Sequence, residues 1–451
     1  MHYEEVYESY KGYRERRAAS RDAFVVKQQH KFVKAIESLG LKSAAEENAK
    51  RENANVDGDG PMGTMLHFGS TVSKEFAKAY LMDAKYARAH DEGMIHIHDL
   101  DAYGLTYNCL TFNLVPNFPY EKFKDYSEQR KIVRLFDFLK ELFTKMGNEQ
   151  SGGMAFANFD NEMAEVITKL GIVIDDNNLA LIKDAIGELI LWCNDNHTRM
   201  GQTSYYVTFN IGLADSDLAR TIASFLLDEF YTAGDIIYKP NIVFKVHAGH
   251  NRFADDPNHY LLKKALLCTA KKMIPTYLLC DSVPNQNYNP YGLAVMGCRT
   301  RVVTDIYGNE GSIGRGNIDN ISINLPRLAL EIVKKWPNIN VDERVRKFKK
   351  RWNEVATITK DILLDRYHKT CQRQVDDFPT NSEYKLWCED FTKVDSLEDV
   401  FKHGTLSIGF IGLSEAFRLH QYPNVRSTMW MGGFPPSTRV RLRTAVSITR
   451  S

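Results

Sequence analysis

One cysteine of this chain, Cys298, stands between Gly297 and Arg299 at the end of an apolar run, in AVMGCRTRV (294–302). The pattern predicts a strand breaking into a turn, with glycine permitting close backbone approach. A thiol placed there is either a small buried side chain or a reactive group presented to a cavity, because reactive cysteines need a specific microenvironment. A second thiol, Cys109, lies inside the alternating run YNCLTFNL (107–114), where simple packing is the plainer reading. Spacing alone does not bring the two together. His96 and His98 in HIHDLD (96–101) fall on one side of a strand, since side chains alternate with period two. Two such imidazoles could hold a metal, bind a polar ligand or be satisfied structural groups; no third ligand is evident, so no metal is predicted. In GRGNIDNISINLPR (314–327), a polar glycine-rich loop is expected before a strand, with Arg315 and Asn317 as candidates to touch a ligand. A lone G-x-G is weak evidence for phosphate binding.

Composition narrows the classes. The chain has 451 residues and a formal net charge of +1, which gives no electrostatic reason to expect nucleic-acid or membrane-surface binding. No uninterrupted apolar stretch is long enough to span a bilayer, and the polar N-terminus has no signal-peptide core. A cytoplasmic location is the expectation. The cysteines, Cys109, Cys193, Cys268, Cys280, Cys298, Cys371 and Cys388, are scattered, odd in number and without a C-x-x-C pair. Neither a disulfide framework nor a structural zinc site is expected.

The elements that must position these residues follow from periodicity. Residues 1–50 read as a charged helical segment and 53–63 as loop, after which Ser73 is placed as the N-cap of a helix ending at Gly93. Strands are expected at 94–100, 205–213, 241–246, 276–280, 321–325 and 405–413. Helices are expected at 128–146, 177–196, 216–233, 258–272, 342–370 and from Pro326. Strands alternating with helices argue for an α/β fold with a largely parallel sheet or barrel, in one large domain.

Taken together and in this order, RENANVDGDGPMGTMLHFGS, MIHIHDLD, YNCLTFNL, VMGCRTRV, GRGNIDNISINLPR and GTLSIGFIGLSEAF resemble the class III anaerobic ribonucleotide reductases, over residues 51–420. The resemblance implies the ten-stranded α/β barrel of the glycyl radical enzyme and ribonucleotide reductase type, with Cys298 at the tip of its central finger loop. It implies that Cys298 becomes a thiyl radical and removes the 3′ hydrogen of a ribonucleoside triphosphate. Cys109 then matches the second cysteine, on the other face of the ribose. Asn317 matches the asparagine of the formate-dependent branch, making formate the expected reductant ahead of a glutaredoxin-like protein. The following Ile318 and Asp319 depart from that branch's leucine and glycine. His96, His98 and Arg299 match positions near substrate. Further implied are dNTP and ATP effectors, an S-adenosylmethionine iron–sulfur activating enzyme, and a homodimer for which the 128–146 helix and the loop 151–160 are candidates.

The family's glycyl radical loop and its zinc-binding C-x-x-C pairs have no counterpart in this sequence. Residues 426–451 contain five arginines and no lysine, aspartate or glutamate, and no periodic apolar pattern organises them. The expected organisation is a helical segment 1–50, a remnant of an ATP-cone; a partial barrel domain 51–425; and an atypical basic tail 426–451 produced by a frameshift. A chain of this kind is expected to be inactive alone and poorly soluble. Alternative readings are a non-catalytic nucleotide-binding partner of a full-length reductase, or another glycyl radical enzyme.

Overall fold

The computed structural model describes Lys31, residues 61–195, 205–234, 237–297 and 300–421, and Ser447–Ile448. The 1–50 helical segment apart from Lys31, residues 53–60 of the loop read at 53–63, Cys298, Arg299 and most of the basic tail lie outside the described residues, while Pro61–Gly63, read as the end of that loop, are helical because proline opens the helix there. Helix α1 (Pro61–Phe76) runs into a π-helical turn (Ala77–Leu81) and stops at Met82, before α2 (Ala84–Asp91). The helix read as one piece up to Gly93 is therefore broken. Ser73 is not its cap: it sits inside α1, and its hydroxyl donates to the Asp101 carbonyl at 2.5 Å. The cap is Asp83, whose carboxylate accepts the Lys85 N–H.

From there strands and helices alternate: β1 (Ile95–Ile97), β2 (Cys109–Phe112), α3 (Glu128–Gly147), β3 (Met154–Phe156), α4 (Phe159–Lys169), α5 (Asp176–Asp195), β4 (Val207–Ile211), α6 (Asp217–Thr232), β5 (Asn241–Val246), α7 (His259–Lys272) and β6 (Thr276–Leu279). A two-stranded hairpin, β7 (Val295–Met296) and β8 (Thr300–Arg301), comes next, then β9 (Arg315–Asn324) and α8 (Leu325–Lys335). The chain continues through α9 (Val341–Cys371), α10 (Pro379–Tyr384), α11 (Leu397–Phe401), β10 (Thr405–Ile411), α12 (Leu413–Gln421) and β11 (Ser447–Ile448).

Nine strands form one sheet in the order β11-β10-β9-β2-β3-β4-β5-β6, with β1 also on β9. The ten-stranded barrel is thus represented by a curled half-barrel among the described residues. Strands β2 to β6 are mutually parallel, β9 and β10 are parallel, and the two blocks meet antiparallel at β2 and β9. Parallel strands joined by helices need cover on both faces. On one face, Leu110, Phe112, Phe156, Phe209, Ile211 and Phe244 enter the main core beneath the helices. The other face carries Cys109, Thr111, Ala155, Thr208, Asn210 and Lys245, all buried, and the β7–β8 hairpin lies against it.

Two segments read as loops are strands. RGNID (315–319) is the first part of β9, because Gly316 leaves room beside the Cys109 carbonyl and the Trp387 ring where a Cβ would collide with both. Residues 154–156 of the 151–160 stretch are β3, and Phe159 opens α4. In the tail, Ser447 and Ile448 pair with Ser407 and Leu406 of β10.

Candidate functional site

Where the two blocks meet, Cys109 of β2 is register-paired with Asn317 of β9. The Cys109 thiol is buried and donates to Asn108 Oδ1 at 2.8 Å, while the Gly153 N–H donates to its sulfur at 3.1 Å. The Asn108 amide is oriented in turn: its Nδ2 donates to the Asp99 carboxylate at 2.5 Å and to Ser151 Oγ at 3.2 Å. That leaves Oδ1 as the acceptor for the Cys109 thiol. Asp99 occupies a left-handed backbone position, φ 46°, two residues after the end of β1. Burial raises its carboxyl above the usual range, opposed by Arg366.

Asn317 is fully buried and spends its Nδ2 on the carbonyls of Asp319 and Thr405, both at 3.1 Å, and on Ser407 Oγ at 3.0 Å. Its Oδ1 faces Asn320 Nδ2 at 3.5 Å, and the same Nδ2 lies 3.5 Å from Asn108 Oδ1. Cys109, Asn108, Asn317 and Asn320 therefore form one continuous polar patch. Beneath it, Arg366 of α9 pairs with Asp319 at 2.7 Å, both essentially buried, and donates to the carbonyls of His98 and Asp99. Burial pushes the Asp319 carboxyl up to about 7, against the pull of Arg366.

The hairpin approaches this patch closely. A Cβ on Gly297 would sit 3.0 Å from the Cys109 sulfur, and one on Gly153 would sit 2.7 Å from the Gly297 Cα. The backbone immediately before Cys298 is thus packed against Cys109, across the Gly152–Gly153 doublet. The position of Cys298 and Arg299 themselves lies outside the described residues.

His96 is exposed on β1 and pairs in register with Ser322, while His98 hydrogen-bonds Ser322 Oγ at 2.8 Å. Their rings meet edge to face at 4.7 Å, and His90 joins them at 5.5 Å from His96. Burial, then the His96 charge, then Arg366, holds His98 down to about 4; burial and His96 do the same for His90. Neutral imidazoles at ordinary pH suit hydrogen bonding to a polar ligand. Among the described residues no group of three His, Cys, Asp or Glu side chains is gathered to hold a metal. Arg315, a sequence candidate for ligand contact, is buried instead, donating to the His403 carbonyl at 2.8 Å and to the Gly311 carbonyl at 2.9 Å.

Sequence reasoning missed Asp99, Asn108, Asn210, Lys245 and the glycine doublet. Lys245 is fully buried on β5, with its ammonium on Asn158 Oδ1 at 2.8 Å and the Pro290 carbonyl at 3.1 Å. Burial pushes it down to about 8. The signal was available: polar residues alternate with apolar ones in VTFNI, and Asn241 and Lys245 fall on one face of NIVFKV, marking a second, non-core face.

Comparison with known proteins gives this geometry relatives. The family described as anaerobic ribonucleoside-triphosphate reductase matches residues 52–430. The anaerobic ribonucleoside-triphosphate reductase of Haemophilus influenzae is 26% identical, the match covering 92% of this chain and 60% of the relative. The protein of that name from Enterobacteria phage T4 is 25% identical, with 83% and 66% covered. The chain therefore spans about three fifths to two thirds of the length of these curated relatives. In fold it is similar to the anaerobic ribonucleotide reductase from Thermotoga maritima in complex with dATP and CTP, with a TM-score of 0.60, 14% identity, and 92% of this chain and 68% of that one covered. Among the described residues no helix is long and apolar enough to cross a membrane.

Proposed function

This chain belongs to the anaerobic ribonucleoside-triphosphate reductase family, and from that premise we propose that it supplies the substrate-facing sheet for reducing ribonucleoside triphosphates to deoxyribonucleoside triphosphates. The observation that carries the reading is the packing of Gly297, the residue before Cys298, against the sulfur of Cys109. Two thiols on facing elements of a buried polar pocket are what radical removal of a ribose hydroxyl requires.

In this reading the family's glycyl radical, installed by an S-adenosylmethionine iron–sulfur activating enzyme, would supply the one-electron oxidation of Cys298. Cys298 takes the 3′ hydrogen, forming S–H and breaking C–H. Cys109, whose thiol donates to Asn108 Oδ1, delivers the proton with which the 2′ hydroxyl leaves as water. Asn317, its N–H groups committed to Thr405, Ser407 and Asp319, offers Oδ1 as an acceptor toward the ribose or the reductant. With formate as reductant the sum balances: ribonucleotide, formate and a proton give deoxyribonucleotide, carbon dioxide and water. His96, His98 and Arg299 are placed by this reading along the nucleotide, with dNTP or ATP as effectors. A homodimer would use the outer face of α3, around the exposed Val133, because the inner face is spent on the core.

The test is anaerobic mild oxidation followed by mapping of disulfides by mass spectrometry. A Cys109–Cys298 bond is expected as the dominant product, lost in Cys109→Ser, together with formation of dCTP from CTP and formate once the activating enzyme and a glycyl-radical segment from a relative are added. Failure of the two thiols to join while others do, or dCTP formation by Cys298→Ala, would sink the reading.

A further inference from the structure

We propose that Asn210 is the positioning residue that docks the 295–297 segment over Cys109, its side chain acting in place of a neighbouring strand. This rests on the reading of Cys109 and the hairpin given above. Asn210 is fully buried on the inner face of β4. Its Oδ1 accepts the Val295 N–H at 2.9 Å, and its Nδ2 donates to the Val295 carbonyl at 2.9 Å and the Phe156 carbonyl at 2.8 Å. A single amide thus satisfies both backbone groups of Val295, as a β-ladder partner would, and ties them to the end of β3.

The contact is one rung of a series along the incoming limb of the hairpin. Asn158 Nδ2 donates to the Tyr291 carbonyl at 2.9 Å, and Lys245 holds the Pro290 carbonyl. Beyond Val295, Asn241 Nδ2 lies 3.3 Å and Thr208 Oγ1 3.5 Å from the Gly297 carbonyl. The outer rungs are single, longer bonds or anchor the segment far from the thiol; Asn210 makes the bidentate one. Only Met296 separates its anchor point, Val295, from Gly297, which packs against the Cys109 sulfur. Loss of the Asn210 amide leaves the part-buried N–H and C=O of Val295 without these partners, a state that native structures disfavour. The segment would then open to water, uncovering Cys109.

Asn210→Ala in the full chain is the test, with amide hydrogen exchange at Val295 and alkylation of Cys109, both read by peptide mass spectrometry. Exchange at Val295 should rise about tenfold or more, and Cys109 labelling by a similar factor. Asn241→Ala should show the same pattern more weakly, and stands in if Asn210→Ala does not fold. Val355→Ala, in the separate core cluster behind β9, controls for general loosening: it should lower the thermal midpoint without raising Cys109 labelling. Unchanged exchange at Val295 overturns the inference. So does faster exchange without faster Cys109 labelling, or equal labelling in the Val355→Ala control. None of these readouts requires catalysis, so absence of a Cys109–Cys298 disulfide in the wild type would count against the proposed reaction alone.

Discussion

Arg366 reaches from α9 to three groups at once: the Asp319 carboxylate and the carbonyls of His98 and Asp99. It therefore links the HIHDLD segment to β9, the two pieces that frame Asn108 and Asn317. Burying both charges costs desolvation energy, so the pair is weak evidence for stability, but removing one partner leaves the other stranded. Arg366→Met is expected to destabilise the fold by about 3–5 kcal/mol at neutral pH. The loss should depend on pH with a definite sign. The folded pKa of Asp319, about 7, lies above its ordinary value of 3.8, so its contribution is full below that value and declines as pH rises through 7. Without Arg366 the folded value rises further, and the decline extends to higher pH. Urea denaturation at pH 5 and pH 8 should show the larger deficit at pH 8; equal deficits would contradict the assignment of Asp319 as the stranded group.

At the scale of elements, the approach of the β7–β8 hairpin depends on the Gly152–Gly153 turn into β3. A Cβ at position 153 would lie 2.7 Å from Gly297 Cα and 2.8 Å from the Tyr206 ring. Gly153→Ala should therefore push the hairpin off the sheet, at an overpacking cost of about 1–3 kcal/mol. The same variant should raise Cys109 alkylation; a variant with wild-type stability and wild-type labelling would show that the hairpin does not pack there. This doublet was visible in the sequence but not its purpose, because no local rule states which backbone a glycine faces. The same limit explains β9. Its Ile321 and Ile323 alternate legibly, whereas Arg315, Gly316 and Asn317 look like a loop until β2 and β10 satisfy their backbone. Helices with strong apolar stripes, such as α3, were legible throughout, since their periodicity is local. Cys109 and Asn317 were legible as candidates, but their pairing is a register across more than two hundred residues.

Across the whole molecule, the sheet has one face packed with aromatic side chains and another carrying buried polar and ionisable ones. Asp160 and Glu162, at the start of α4, sit beneath the ends of the parallel strands with Lys245 nearby. Burial pushes Glu162 up to about 7 and Asp160 up to about 6, and the backbone N–H groups that each accepts only partly offset this. Raised carboxyl values mean stability that is present at low pH and lost as pH rises through 6 to 7. His90 and His98 act in the opposite sense: held near 4 from an ordinary 6.5, they contribute fully above 6.5 and lose their contribution as pH falls. Lys245, lowered to about 8 from 10.5, adds stability only as pH climbs past 8. The interval between about 6.5 and 7.5 is therefore governed by the buried carboxyls, with the histidines already neutral and the lysine still charged. The thermal midpoint should fall with rising pH across that interval. Glu162→Gln should lie lower at every pH, because Gln replaces one acceptor of a backbone N–H by a donor, yet its slope should be shallower than that of the wild type. Parallel slopes would mean that Glu162 is already ionised in the folded protein at pH 6.5, and that Asn158 and Leu114 outweigh burial.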